Sequence, residues 1–291
     1  MLTVLAPAKV NLTLEVLTKR PDGFHEIRSV IQTLNLCDSL NLQLSESIGI
    51  KSGAPNWVPG DSLVSKAVGL LQETTGCRRG VTIEVRKRIP SVSGLGGDSS
   101  DAAAVLRGLN RLWGLGLSLE ELLRLAWQLG SDVAFFFYGG TALLEGRGER
   151  VTPLPPLPHL WVVLMMPPVP KLQRKTERLY ASVKTSQYTD GQITDRLVAL
   201  LTGGGLEGER LISNVFNVFD NLALGSFSGL EGYWQQFVKA GAEEVHLAGS
   251  GPALFTLIKV QAQAEEIYRN LQQQGLESYL TETLAAIEKI E

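Results

Sequence analysis

A glycine-rich stretch that leads directly into a helix constrains this chain more than any other feature of its sequence. Gly94, Gly96 and Gly97 stand just before a run of apolar residues at helical spacing. Glycine permits positive φ angles and a close approach of the backbone to a ligand, and a helix N-terminus presents unpaired N–H groups with a partial positive charge. The stretch therefore predicts a phosphate-binding loop at the start of a helix.

The same glycines leave an alternative open. A Gly/Ser-rich turn before a well-capped helix would explain them equally well, and the loop is not a Walker A motif, because the chain contains no Gly-Lys pair. A second segment, residues 203–208, also satisfies G-x-G-x-x-G. It follows what looks like a helix end, and Glu207 and Glu209 would repel phosphate, so we interpret it as a flexible loop.

Composition excludes several classes of protein. The chain has 291 residues, and its 27 basic and 30 acidic residues leave a net charge of −3. The protein as a whole therefore has no excess of positive charge that would attract nucleic acid or an anionic membrane. Cys37 and Cys77 form no Cys-x-x-Cys pair, and His25, His159 and His246 lack metal-ligand spacing, so we expect no protein-bound metal site. No window reaches the ~18 apolar residues of a membrane span, and the start resembles no signal peptide. We expect a cytoplasmic protein, a monomer or weak homodimer, without membrane or nucleic-acid partners.

Hydrophobic patterning predicts an α+β chain in two parts. Strands are predicted at residues 3–5, 11–17, 34–36, 39–44, 81–85 and 140–144, with Asp38 as a boundary, and helices at 62–72, 98–112 and 118–129. The proline cluster at 153–158 predicts a crossover between domains 1–155 and 156–291. The second part shows strands at 160–165, 245–247 and 253–258 and helices near 174–184, 191–201, 229–240 and 261–274, which suggests a helix-covered antiparallel sheet.

Two lone charges in apolar surroundings are candidates for chemistry. Lys9 lies within an apolar strand-like segment, and Asp132 lies between a helix end and an aromatic run. Each alone would pass for an edge-of-core charge or a helix cap, but charges beside a core usually have partners, so together they suggest an ion-paired acid/base unit. The basic segments 86–88 and 171–178 are most simply solvated faces.

Three motifs occur in the order that resembles the GHMP kinase superfamily, at residues 7–12, 94–103 and 247–253. Within it, residues 19–26, the Gly-Gly-x-Ser-Ser-Asp-Ala-Ala sequence and residues 130–136 resemble the diphosphocytidyl-methylerythritol kinases. The resemblance implies a two-domain fold, with an N-terminal ribosomal-S5-domain-2-like half and a C-terminal ferredoxin-like half. It also implies ATP with Mg²⁺ and a small-molecule acceptor that carries a cytidine diphosphate group, phosphorylated on its 2-hydroxyl during non-mevalonate isoprenoid biosynthesis.

The resemblance also implies site residues. Asp132 would be the base or orienter of the acceptor hydroxyl and Lys9 its partner, while Phe24 and His25 would clamp the cytosine. Nucleotide-binding residues would be Lys87, Pro90, Gly94, Leu95, Gly96, Gly97, Asp98, Ser99 and Ser100. Acceptor-side residues would further include Asn11, Gly249, Ser250 and Gly251.

Some positions depart from the family pattern. Asp98 stands where a third glycine is usual, and we expect it either to cap the helix and point away or to help hold Mg²⁺ through water. Phe24 replaces a tyrosine, Ser62 an asparagine and Ala134 a proline. Two other functions stay open: a kinase for another small alcohol, such as homoserine or mevalonate, and a non-catalytic ligand sensor on the same fold.

Overall fold

The computed structural model describes residues 1–54, 57–203 and 208–287, and in these ranges the chain forms two sheets with helices packed on them. The strands are β1 (Leu2–Asn11), β2 (Thr13–Lys19), β3 (His25–Ser45), β4 (Ile48–Ser52), β5 (Gly80–Arg86), β6 (Thr141–Gly146), β7 (Arg150–Pro153), β8 (Trp161–Met166), β9 (Phe216–Asn217), β10 (His246–Leu247), β11 (Leu254–Ile258) and β12 (Glu277–Glu282). The α-helices are α1 (Leu63–Thr75), α2 (Gly97–Trp113), α3 (Leu119–Leu129), α4 (Phe135–Tyr138), α5 (Lys175–Ser182), α6 (Gln192–Thr202), α7 (Gly208–Ile212), α8 (Asp220–Ser226), α9 (Leu230–Lys239) and α10 (Gln261–Gln273). Short 3-10 helices lie at Pro59–Asp61 and Thr185–Gln187. This mixture confirms the predicted α+β class.

The first sheet is organised around the long strand β3. Over 21 residues β3 pairs antiparallel with β1, β2, β5 and β6, while β4, β7 and β9 extend the sheet. The expected boundary at Asp38 is therefore wrong. Its buried carboxylate accepts the backbone N–H groups of Arg88 and Ile89, so the strand continues with the charge satisfied.

Helices α1 to α3 were predicted, and they cover one face of this sheet with apolar residues. The capping box of α3 is present, with the Ser118 hydroxyl accepting the N–H of Glu121. Helix α2 begins at Gly97, and its N-cap Gly96 offers no side-chain oxygen. The expectation that Asp98 caps this helix is therefore wrong, because Asp98 lies inside the first turn.

The second sheet has the order β10-β11-β8-β12, and each neighbouring pair is antiparallel. The predicted strand pair near 245–258 is confirmed. Strand β12 was not predicted, because its sequence Glu-Ser-Tyr-Leu-Thr-Glu is too polar to signal a strand. Residues 204–207 of the predicted flexible loop lie outside the described residues.

The two parts of the chain share structure. Strand β9 pairs parallel with β2, and Thr283 forms a bridge to Leu34 of β3. One apolar cluster contains Val10 from the first part and Phe255 from the second. The domain division at residue 155 stays a prediction. In the ranges given above, no helix is long and apolar enough to cross a membrane.

Candidate active site

A cavity of about 920 Å³ lies among the glycine-rich loop, the turn before β3, α5 and the loop after β10. Most of the site residues predicted from the sequence line it: Lys9, Asn11, Phe24, His25, Lys87, Pro90, Gly94, Gly96, Gly97, Asp98, Ser99, Asp132, Gly249 and Ser250. Leu95, Ser100 and Gly251 do not line the cavity, because all three are buried. The fold thus brings residues from distant parts of the sequence to one cavity.

A lysine–carboxylate pair lines the cavity. Lys9 Nζ lies 3.3 Å from Asp132 Oδ2 and donates to Asn11 Oδ1 at 2.9 Å. Asn11 in turn donates to Ser29 Oγ at 2.8 Å, which fixes its orientation. The Lys9 side chain is 5% exposed and that of Asp132 is 37% exposed. The result is an immobilised ammonium beside a carboxylate that a hydroxyl group can reach.

The glycines allow the loops of the site to approach closely. Gly94 and Gly96 have φ of 93° and 75°, which side-chain-bearing residues rarely adopt. A Cβ at Gly94 would collide with the carbonyl of Ala248, and one at Gly96 would lie 2.9 Å from Lys9 Cγ. The backbone N–H of Lys9 donates to Leu95 O at 2.9 Å. The loop therefore holds the α2 N-terminus directly against Lys9.

Lys87 is buried under the start of α2. Its Nζ lies 2.6 Å from Asp38 Oδ2, 2.7 Å from Asp101 Oδ2 and 3.5 Å from Asp98 Oδ1. Burial lowers the pKa of Lys87, but attraction by Asp101 and Asp38 outweighs burial and leaves that pKa above its usual value. Burial also raises the pKa of Asp101, against the opposing Lys87 charge. The prediction of a solvated face at 86–88 is therefore wrong for Lys87. The role of Lys87 in nucleotide binding stays a prediction.

The loop at residues 248–251, called the third loop below, is held by a residue that the sequence did not reveal. Asn217 is buried in β9, and its Nδ2 donates to Leu247 O at 2.9 Å and Gly249 O at 2.8 Å. Its Oδ1 accepts the N–H of Phe219 at 3.0 Å. Because β9 pairs with β2, these bonds connect the third loop to the first sheet.

Aromatic rings also line the cavity. Phe24 is 53% exposed, and the guanidinium carbon of Arg147 lies 4.4 Å from its ring centroid. The His25 ring stacks on Tyr180 at a centroid distance of 5.3 Å. Burial, and secondarily the positive charge of Lys19, lowers the pKa of His25, which favours a neutral ring with one donor and one acceptor nitrogen.

Helix α5 contributes residues that sequence reasoning assigned to a solvated face. The amine of Lys175 donates to the carbonyl of Gly251, and the hydroxyls of Thr176 and Ser250 are 2.8 Å apart. Burial and the nearby Lys9 charge lower the pKa of Lys175 to about 7. The solvated interpretation is wrong for this lysine, although Lys171 and Arg178 are exposed as expected.

Potential magnesium ligands are few. Among the described residues no group of three His, Cys, Asp or Glu side chains could hold a metal ion. Asp98, with its side chain 54% exposed, and Ser99 offer oxygens to the cavity. This donor set suits Mg²⁺ that is held mainly by nucleotide phosphates and water, with one carboxylate nearby.

Comparisons with known proteins agree with this geometry. The family model for the N-terminal domain of GHMP kinases matches residues 62–140, and the model for the C-terminal domain matches residues 209–276. Fold and site therefore define a small-molecule kinase of the GHMP class. A 4-diphosphocytidyl-2-C-methyl-D-erythritol kinase from Dehalococcoides mccartyi is 50% identical over 288 residues, covering 99% of this chain and 100% of the relative. The chain belongs to the family of 4-diphosphocytidyl-2-C-methyl-D-erythritol kinases.

Other relatives extend the comparison. A kinase of the same name from Geobacillus kaustophilus is 40% identical and covers 93% of this chain and 92% of its own length. A crystal structure of a 4-(cytidine 5′-diphospho)-2C-methyl-D-erythritol kinase superposes with a TM-score of 0.81 at 30% identity, covering 97% of this chain and 99% of that one. Homoserine kinase from Cytophaga hutchinsonii has a TM-score of 0.72 at 22% identity, covering 98% and 95%, and shares the fold.

Proposed function

We propose that this protein transfers the γ-phosphoryl group of ATP to the 2-hydroxyl of 4-diphosphocytidyl-2-C-methyl-D-erythritol, a step of non-mevalonate isoprenoid biosynthesis. The observation that carries the proposal is the Lys9–Asp132 pair at 3.3 Å, set between a glycine-rich loop and an aromatic turn in one cavity. The names of the relatives support the acceptor.

Asp132 acts on the acceptor hydroxyl. Its accessible carboxylate accepts the hydroxyl proton or orients the hydroxyl for attack, and Lys9 aligns the carboxylate. The hydroxyl oxygen then attacks the γ-phosphorus in line and ADP leaves, without a phospho-enzyme, because positioning and charge neutralisation carry most of phosphoryl transfer. A trapped covalent phosphoprotein would refute this direct transfer.

The glycine-rich loop holds the nucleotide. Backbone N–H groups from Gly96 to Ser99, at the N-terminus of α2, face the phosphates. Asp98 and Ser99 would help hold the Mg²⁺ that accompanies ATP, and the metal would supply positive charge to neutralise the phosphoryl oxygens. Comparable nucleotide affinity with and without Mg²⁺ in wild type and Asp98→Gly would contradict this role of Asp98.

The aromatic turn selects the acceptor. Phe24 stacks on the cytosine, and the neutral His25 ring reads the base edge. Asn11 and the third loop, with Gly249, Ser250 and Gly251, shape the acceptor side. We further propose that the protein acts in the cytoplasm as a monomer or weak homodimer, without nucleic-acid partners.

The first test measures ADP release from Mg-ATP with three separate acceptors: diphosphocytidyl-methylerythritol, homoserine and mevalonate. Asp132→Ala serves as the blank for contaminating ATPase activity. We expect selective turnover of the cytidine compound. Turnover of another alcohol alone would discard the Phe24–His25 clamp, and silence with all three would favour a sensor.

A further inference from the structure

Lys175 lies where three parts of the site meet. It is the first residue of α5, its amine donates to the carbonyl of Gly251, and it lines the cavity together with Lys9 and Asp132. Thr176 bonds the Ser250 hydroxyl, so two consecutive residues of α5 contact the third loop. The half-buried amine of Lys175 is thus placed at the edge of the phosphoryl-transfer site.

The positive charge of Lys175 is not matched by an acid. Within residues 1–54, 57–203 and 208–287 no carboxylate pairs with it, and its hydrogen-bond acceptor is a neutral carbonyl. Lys9, in contrast, has Asp132, and Lys87 has Asp38 and Asp101. A partly desolvated ammonium that only a carbonyl satisfies is costly unless an anion completes its surroundings.

The electrostatic setting supports an anionic ligand. Burial and Lys9 lower the pKa of Lys175 to about 7, so the free amine is only partly protonated near neutral pH. A bound phosphate would reverse this shift, because an adjacent anion favours the ammonium form. The other charged groups that line the two cavities beside Lys175 are Lys9, Lys19, Asp22, Lys87, Asp98, Asp132, Arg147, Lys171, Glu177 and Glu277.

We propose that Lys175 is a phosphate-binding residue of this site, whose ammonium leaves the Gly251 carbonyl to bind a phosphate oxygen of a bound substrate. The inference rests on the proposed function, in which both ATP and the acceptor carry phosphates. Phosphate binding by an ammonium group is the same whether ATP or the acceptor supplies the phosphate. Titrating one ligand at a time distinguishes these two sources.

The test is calorimetric binding of Mg-AMPPNP and, separately, of cytidine diphosphate. Wild type is compared with Lys175→Met, Lys175→Arg and the exposed control Lys171→Met, at about pH 6, 7 and 8 in buffers of different ionisation enthalpy.

We expect the wild type to take up protons when it binds one of the two ligands, and the uptake should increase from about pH 6 to pH 8. Lys175→Arg should keep the affinity without proton uptake, because arginine is always charged. Lys175→Met should lose about tenfold or more in affinity, and Lys171→Met should match wild type.

The affected ligand identifies the source of the phosphate. A loss with Mg-AMPPNP assigns Lys175 to the nucleotide, and a loss with cytidine diphosphate assigns it to the acceptor. Affinities of Lys175→Met within about twofold of wild type for both ligands, together with unchanged proton uptake, would overturn the proposal. Binding does not require turnover, so a wild type that binds both ligands and phosphorylates no acceptor would refute the proposed function separately.

Discussion

At the scale of single residues, glycines and charged residues form the site: the charged residues supply its reactive groups, and the glycines allow those groups to approach one another. Lys9 is buried and fixed by Asn11, while Asp132 stays accessible beside it. The loop glycines allow the α2 N-terminus to approach Lys9 more closely than any side chain would permit. An accessible carboxylate and unpaired N–H groups consequently face the same space.

Gly96→Ala should damage the site more than an equally strained replacement elsewhere. Gly96 and Gly116 have φ of 75° and 68°, so alanine is strained at both. Only at Gly96 would the new Cβ press on Lys9, at 2.9 Å from Cγ. We expect Gly116→Ala to lose about 1 kcal/mol of stability with kcat unchanged, and Gly96→Ala also to lose about tenfold or more in kcat. Urea unfolding measures the loss of stability, and steady-state rates measure the loss of kcat. Equal kcat values for Gly96→Ala and Gly116→Ala would contradict the expected effect of the new Cβ on Lys9.

His25 should titrate below the ordinary imidazole value of 6.5, because burial and the charge of Lys19 both oppose protonation. The unfolded ring then binds its proton first, so its contribution to stability is present above pH 6.5 and is lost as pH falls. An NMR titration measures the midpoint. Lys19→Met should move the midpoint upward, and an unchanged midpoint would exclude the electrostatic contribution of Lys19.

Sequence alone could identify Lys9 and Asp132, because a charge in an apolar segment stands out. It could not identify Lys175, which lies in a basic segment where solvated lysines are the ordinary case. Tyr180 was likewise invisible, since its position beside His25 arises only when α5 packs across the turn. Residues that act through tertiary contacts carry no local signature.

At the scale of elements, short strands position the third loop. Strand β9 has two residues and β10 has two, too few for a periodic signal, yet β9 carries Asn217 to the loop carbonyls. The longer helices and the glycine-rich loop were predictable because their patterns extend over many residues, whereas the short helices α4, α7 and α8 were not predicted. The continuity of β3 through Asp38 was not, because the partners of that carboxylate are about 50 residues away in sequence.

Asn217→Asp should loosen the third loop. The substitution keeps the shape of the side chain but replaces an amide donor by a carboxylate that faces two carbonyl oxygens. We expect about 1–3 kcal/mol less stability together with a lower kcat. Asn214→Asp is the control, because Asn214 donates to Arg210 O on the exposed surface. Urea unfolding and kinetics compare the two, and similar small effects would contradict a positioning role for Asn217.

At the scale of the whole molecule, the two parts of the chain are joined by shared structure. Strand β9 completes the first sheet, the Thr283 bridge returns the chain to β3, and one apolar cluster spans both parts. The proline cluster predicted two domains, but the long-range contacts between the two parts have no local pattern in the sequence that could predict them. The cavity lies among elements from both parts, so their cooperation is needed for its shape.

The two parts should unfold together. Trp113 reports on the core of the first sheet and Trp161 on the second, so single-tryptophan variants of each follow one part. Because the parts share an apolar cluster, we expect coincident urea transitions of the two fluorescence signals. Two separated midpoints would show that the parts are independently stable.

The most direct test of the central claim is the turnover of Asp132→Asn with Mg-ATP and diphosphocytidyl-methylerythritol, both saturating. The substitution keeps the size of the side chain and removes the negative charge of Asp132, whose Oδ2 lies 3.3 Å from Lys9 Nζ. If Asp132 accepts or orients the hydroxyl proton, kcat should fall by about 10³-fold while binding of both substrates is retained. Near-normal turnover would contradict both roles and with them the proposed mechanism.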